Sequence, residues 1–177
     1  QLGHRASFTF YPLLNGELVG DTSVVGYASA MMFVPEALVM FLPRKMLNRF
    51  KPVYLVMASS AFFMLWHVLL AFATSPWLVM ATCVMDGPSF ALFTIGTLYY
   101  LDEIAPPELR TTYQTVAYSV YFGFSGIVGN MAGGWMIDNI GYKAMYTISI
   151  VITLLSTLLY YFYIRRQKQP VPEGGAA

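Results

Sequence analysis

From Thr111 to Ile137 the chain carries no charged residue. Small residues return through this stretch at helical spacing: Ser119, Gly123, Gly126, Asn130 and Gly133. A helix stop, Pro106-Pro107, precedes it, and an abrupt polar turn from Asp138 to Lys143 closes it. A membrane-spanning helix needs about 20 mostly apolar residues, and this run supplies them. Small residues on one face let helix backbones approach closely, so the glycine stripe predicts helix packing. Apolar runs of similar length recur along the chain. They predict six spans, at about residues 1–14, 22–43, 52–73, 77–101, 111–137 and 143–164, with the first one short. Polar punctuation separates them: Asn15 to Asp21, Arg44 to Lys51, Ala73 to Pro76, Asp102 to Arg110, and Asp138 to Lys143. Pro52 falls at the first turn of its span, where a missing N–H does no harm. Pro35-Glu36 interrupts the second span, and Asp86-Gly87-Pro88 breaks the fourth. The tail, 165–177, is basic and then Pro/Gly/Ala-rich, a composition expected to remain disordered.

Composition agrees with this pattern. Of 177 residues, 57% are hydrophobic and 11% are charged, against about 25% charged in a soluble domain. The charged loops are strongly biased. Arg44, Lys45, Arg49, Lys51, Arg110, Arg165, Arg166 and Lys168, eight of the ten Lys and Arg, fall on one set of alternate loops. Cytoplasmic loops collect such residues. That set and the C-terminus are therefore expected to face the cytoplasm, in a bacterial plasma membrane. A net charge of +1 with no basic stripe argues against nucleic acid as a partner. One cysteine, Cys83, excludes an internal disulfide framework and a cysteine metal site; it reads as a small buried apolar residue. Gln1 opens inside an already patterned segment, which points to a fragment of a longer protein.

The second and fifth spans resemble each other at an offset of 90 residues, Arg44 to Lys51 lying over Gly134 to Gly141. Spans one to three and four to six would then be two three-helix units, inverted because their helix count is odd. The fold class expected is all-α, a polytopic membrane helix bundle of two inverted three-helix repeats. Transporters of that architecture place a substrate site near the midplane, between repeats.

Ionisable residues inside a span are costly, about 2.5–3.5 kcal/mol on insertion scales, and mark function. Asp86 lies near the middle of its span, where Gly87-Pro88 would free backbone groups to meet a ligand. It reads as a proton or substrate site, or as a kink carboxylate bonded to a neighbouring helix. Glu36 reads as a proton carrier, or as the partner of a basic residue such as Arg44. His4 could bind solute or relay protons, while Arg5 beside it could simply snorkel. Trp66 and His67, near the outer end of the third span, read first as interfacial anchors. Gln114, Tyr118, Tyr121 and Ser125, at i, i+4, i+7 and i+11, form one polar-aromatic stripe suited to a solute cavity or to interhelical hydrogen bonds. Asp102, Glu108 and Arg110 form a charged cytoplasmic mouth, a gate candidate or ordinary positive-inside charge. No clustered constellation for metal or nucleophilic chemistry is visible, so no cofactor and no enzyme activity are expected. A six-helix membrane scaffold is the reading from another class.

Several stretches resemble the major facilitator superfamily of secondary transporters over nearly the whole chain: Phe10-Tyr11-Pro12-Leu13 before Gly16-Glu17-Leu18, Pro43 to Lys51, Phe72 to Trp77, Asp102 to Arg110, and Gly133 to Gly141. The resemblance is to the C-terminal six helices, and within the superfamily to the lactose-permease-like branch of sugar, nucleoside and phenylpropionate proton symporters. Gln1-Leu2-Gly3-His4 is similar to the seventh helix of the phenylpropionate type. Asp86 stands where that branch usually has His. The resemblance implies alternating-access transport of a small polar solute with a proton, and an N-terminal six-helix half as partner within the same protein. Drug or metabolite efflux by proton antiport is the alternative.

Overall fold

Prolines set where the helices begin. Pro43, Pro52 and Pro76 each open an α-helix and Pro107 opens a 3₁₀ turn, positions where a missing N–H removes no internal hydrogen bond. In the computed structural model, which describes residues 1–19 and 23–167, the described chain is helical apart from short turns. The elements are α1 (Leu2–Val19), α2 (Ser23–Met40), a short α3 (Pro43–Leu47), α4 (Pro52–Ala71), α5 (Pro76–Ile104), the 3₁₀ turn Pro107–Leu109, α6 (Arg110–Tyr118), a π-helical segment (Ser119–Phe124) and α7 (Ser125–Gln167). Ser75 caps α5, its Oγ accepting from the Leu78 N–H at 3.3 Å. The expectations for residues 20–22, Lys168 and the Pro/Gly/Ala tail lie outside the described residues.

Three prolines sit inside helices, and here the structure departs from the sequence pattern. α2 runs through Pro35 and α5 runs through Pro88 without a break. Helix interiors in a membrane tolerate proline where neighbouring helices satisfy the freed backbone groups. Gly87 serves a close approach instead, because a Cβ there would collide with the Met32 carbonyl oxygen of α2. The Gly87-Pro88 pair thus marks a close helix crossing, not a helix end. α1 also continues past Asn15, through Pro12, to Val19. The polar turn after the fifth span is sharper than it reads in sequence. α7 turns at Gly141, whose φ of 81° suits glycine alone, giving a first arm (125–140) and a second arm (142–167).

Three described segments are long and apolar enough to cross a membrane: Pro52–Ala71, Pro76–Ile104 and Pro107–Arg166, the last folded back at Gly141. α5 is the central helix, the most buried of the three. It packs between α2 and α4, while α7 packs on α1 and α4. Gly129 and Gly133 of the first arm meet Leu2, Ala6 and Phe10 of α1, and Gly3 of α1 meets Ser149 of the second arm. The start of α4 lies near Ile164 and its end near Tyr146, so α4 and the second arm run antiparallel. These pairings map onto one another when the first segment is exchanged with the fourth, the second with the fifth, and the third with the sixth. An inverted repeat requires that exchange.

The glycine stripe is only half a packing face. Gly129 and Gly133 make close contacts, whereas a Cβ at Gly123 or Gly126 would meet nothing within 4 Å in this chain.

Candidate functional site

Three helices each contribute two residues spaced by four, one turn apart on one face. α1 supplies His4 and Phe8, α2 supplies Met32 and Glu36, and α5 supplies Asp86 and Phe90. With Arg5 and Phe33 they line a cavity of about 110 Å³. Its floor is a hydrogen-bonded His–Asp pair: His4 Nε2 lies 2.9 Å from Asp86 Oδ1, and both side chains are buried. The pair joins the first apolar segment to the fourth across 82 residues of sequence.

Aromatic rings hold the His4 imidazole in place. Phe63 and Trp66 of α4 approach it at 4.4 and 5.7 Å between centroids, and Phe8 and Phe90 at 5.8 and 6.0 Å. These rings surround the imidazole with apolar surface, and the lower local dielectric strengthens its interaction with Asp86. The Arg5 guanidinium lies 4.7 Å from the centre of the Phe122 ring in the π segment, a cation–π contact that holds it at the cavity edge. Two polar bonds tie α1 to its neighbours. Tyr11 Oη and Ser29 Oγ are 3.1 Å apart, and Thr9 donates to Asn130 Oδ1 at 2.8 Å.

The cavity therefore gathers Asp86, Glu36, His4 and Arg5. The remaining sequence candidates lie elsewhere. Gln114 Nε2 donates to Asp102 Oδ1 at 2.7 Å, joining the polar stripe to the charged mouth. Glu108 and Arg110 are exposed, and among the described residues no ion pair links Arg110 to Glu108 or Asp102. Tyr118 stacks on Phe122, the rings 5.5 Å apart and within 9° of parallel, and Tyr121 meets Phe93 edge-on at 5.3 Å. The stripe does not continue straight into Ser125, which bonds back to the Val120 carbonyl inside the π segment.

Trp66 and His67 are corrections to the sequence reading. Neither sits at an interface; both are 0% exposed, inside the bundle against α1. Hydropathy places them near a span end but cannot show that their face of α4 turns inward. Phe8, Phe63 and Phe90, which enclose His4, carried no signal of their own. The i, i+4 pairing of each ring or thioether with a polar residue on α1, α2 and α5 was the available clue. No group of three or more His, Cys, Asp or Glu among the described residues is placed to hold a metal.

A bundle of apolar helices, three of its described segments long enough to cross a membrane, fits an integral membrane protein. Its kind is given by residues 1–148, which match the MFS_1 like family; the chain belongs to that family. It is 21% identical over 163 residues to the uncharacterized transporter YwbF of Bacillus subtilis (strain 168). It is 25% identical over 166 residues to the maltose permease of Geobacillus stearothermophilus. Each alignment takes in 92% of this chain and 41% of the relative, so the chain spans well under half the length of these relatives.

Proposed function

We propose that the protein to which this chain belongs is a secondary active transporter. It moves a small polar solute (a sugar, a nucleoside or an aromatic acid) by alternating access, in symport with a proton. The observation that carries the proposal is the buried His4–Asp86 pair on a cavity shared with Glu36 and Arg5. Charges buried in a membrane bundle are expensive, and they persist where they serve a pathway. The cavity offers hydrogen-bond acceptors on Asp86 and Glu36, donors on Arg5, and the rings of Phe8, Phe33 and Phe90. A sugar or nucleoside presents matching hydroxyls and an apolar face, and the likeness to a maltose permease favours the sugar.

In this reading the cavity faces a second six-helix half, the His4–Asp86 pair opens and closes with protonation, and the basic loops and C-terminus lie on the cytoplasmic side of a bacterial plasma membrane. The Asp102–Gln114 contact then belongs to the cytoplasmic mouth. Efflux by antiport uses the same groups with solute and proton moving in opposite directions. The test is uptake by full-length protein in proteoliposomes with an imposed proton gradient, using labelled maltose, a nucleoside and a phenylpropionate. The expected result is accumulation of one class that a protonophore abolishes. Accumulation driven only by an outward proton movement would support antiport, and no gradient-dependent movement of any of them would contradict the proposal.

A further inference from the structure

Two further cavities lie at opposite ends of the seam between α4 and the second arm of α7. The first, about 400 Å³, is bounded by Lys51 and Tyr54 at the start of α4, Tyr100 and Glu103 at the end of α5, and Ile164. The second, about 270 Å³, is bounded by Leu14 of α1, Leu70 and Phe72 to Thr74 at the end of α4, and Lys143 and Tyr146 at the start of the second arm. α4 has 20 residues, a length of roughly 30 Å at 1.5 Å per residue. The hydrocarbon core of a bilayer is about as thick. The two cavities therefore fall at the two headgroup levels.

They are built alike. Lys51 and Tyr54 stand three residues apart at the first turn of the third span, and Lys143 and Tyr146 three apart at the first turn of the sixth. These are segments that the inverted repeat exchanges. Both lysines are exposed, and among the described residues neither is paired with a carboxylate. Lys143 Nζ lies 5.9 Å from the centre of the Phe72 ring, a cation–π contact within the second cavity. Tyr146 is 1% exposed, and its buried hydroxyl has no hydrogen-bond partner among the described residues. A buried hydroxyl requires one. Beside these donors stand apolar walls, Leu14, Leu70 and Phe72 in the second cavity and Val53 and Ile104 in the first.

We propose that each cavity seats the headgroup of a phospholipid, one in each leaflet. The phosphate meets the lysine ammonium and the tyrosine hydroxyl, and the glycerol and upper acyl chain lie on the apolar wall. Basic pockets between membrane helices recognise headgroups in this way. A free phosphate would leave the apolar wall uncovered. Glu103 on the rim of the first cavity matches a headgroup amine, so a zwitterionic lipid fits there. Lys143 is the one charge among the residues lining the second, which suits an anionic headgroup as well. The proposal goes beyond the transport reading and needs only that α4 and the second arm cross a membrane.

The test is native mass spectrometry of full-length protein released from vesicles of phosphatidylethanolamine and phosphatidylglycerol. The native protein should retain both lipids. Lys51→Gln and Lys143→Gln should each weaken retention about five-fold, and the double variant more than either. Tyr146→Phe should weaken it in the native background and add little to Lys143→Gln, because both act on the same headgroup. Lys45→Gln, outside both cavities, should change nothing. Both substituted lysines are exposed, so the variants keep the fold. Equal retention by the native protein and the double variant would overturn the proposal, as would an equal loss in Lys45→Gln. Displacement of the lipids by inorganic phosphate alone would overturn it too, in favour of a free-anion site.

Discussion

His4 Nε2 and Asp86 Oδ1 lie 2.9 Å apart at the crossing of the first and fourth apolar segments. In the exchange that maps the helix pairings onto one another, these two segments trade places. It is also among the most enclosed polar contacts of the described chain, with side chains 4% and 2% exposed. Breaking one side of a buried pair leaves the other charge uncompensated. The pair should therefore couple energetically. Single His4→Ala and Asp86→Ala changes should each lower the thermal stability of the full-length protein. The double variant should lose less than their sum, with an interaction of about 0.5–3 kcal/mol. Simple additivity in a thermal-unfolding cycle would show that the two side chains do not act as a pair.

Gly87 is held against the Met32 carbonyl oxygen of α2. Alanine there forces the two helices apart. The cost of such overpacking is about 1–3 kcal/mol, seen as reduced thermal stability and less protein in the membrane. Gly123→Ala is the control, since its Cβ meets nothing in this chain. A Gly123→Ala loss as large as that of Gly87→Ala would mean that another part of the full-length protein covers Gly123.

Gln114 donates to the carboxylate of Asp102 at 2.7 Å. A hydrogen bond to a charged group contributes about 1.5–3 kcal/mol, and partial exposure moves the expectation to the low end. Gln114→Ala should lower stability by about 1.5 kcal/mol. Its effect should largely vanish in an Asp102→Ala background, because both variants remove the same bond. Independent, additive losses measured by thermal unfolding would count against the contact.

The basic loops set the expected sidedness. Arg49→Cys should be shielded from a membrane-impermeant maleimide added to intact cells, whereas Lys143→Cys should react. Cys83 is buried and should contribute no background labelling. The opposite labelling pattern would invert the proposed orientation.

Much of this arrangement was legible along the chain. Runs of apolar residues and Pro52 at the first turn of its span foretold helices, because both act locally; the short α3 that Pro43 opens falls where a basic loop was expected. His4, Asp86 and Glu36 stood out as charges in apolar surroundings. Their meeting did not, since a pair 82 residues apart depends on how the helices cross. Gly87-Pro88 read as a break, because proline's local cost is visible in sequence while the close approach of Met32 is not. The polar-aromatic stripe from Gln114 misled after Tyr118 for a similar reason. A π segment changes the helical period without any composition that announces it. Trp66 and His67 read as interfacial, but their face of α4 turns inward where α4 packs in the bundle.

Whether the buried pair couples protons to solute is decided by solute movement in proteoliposomes of full-length Asp86→Asn protein. Asparagine keeps the shape and an acceptor for His4 while removing the charge. Accumulation driven by a proton gradient should be abolished, while exchange of internal for external solute continues and the amount of reconstituted protein is unchanged. Undiminished gradient-driven accumulation in Asp86→Asn would contradict the role proposed for the pair.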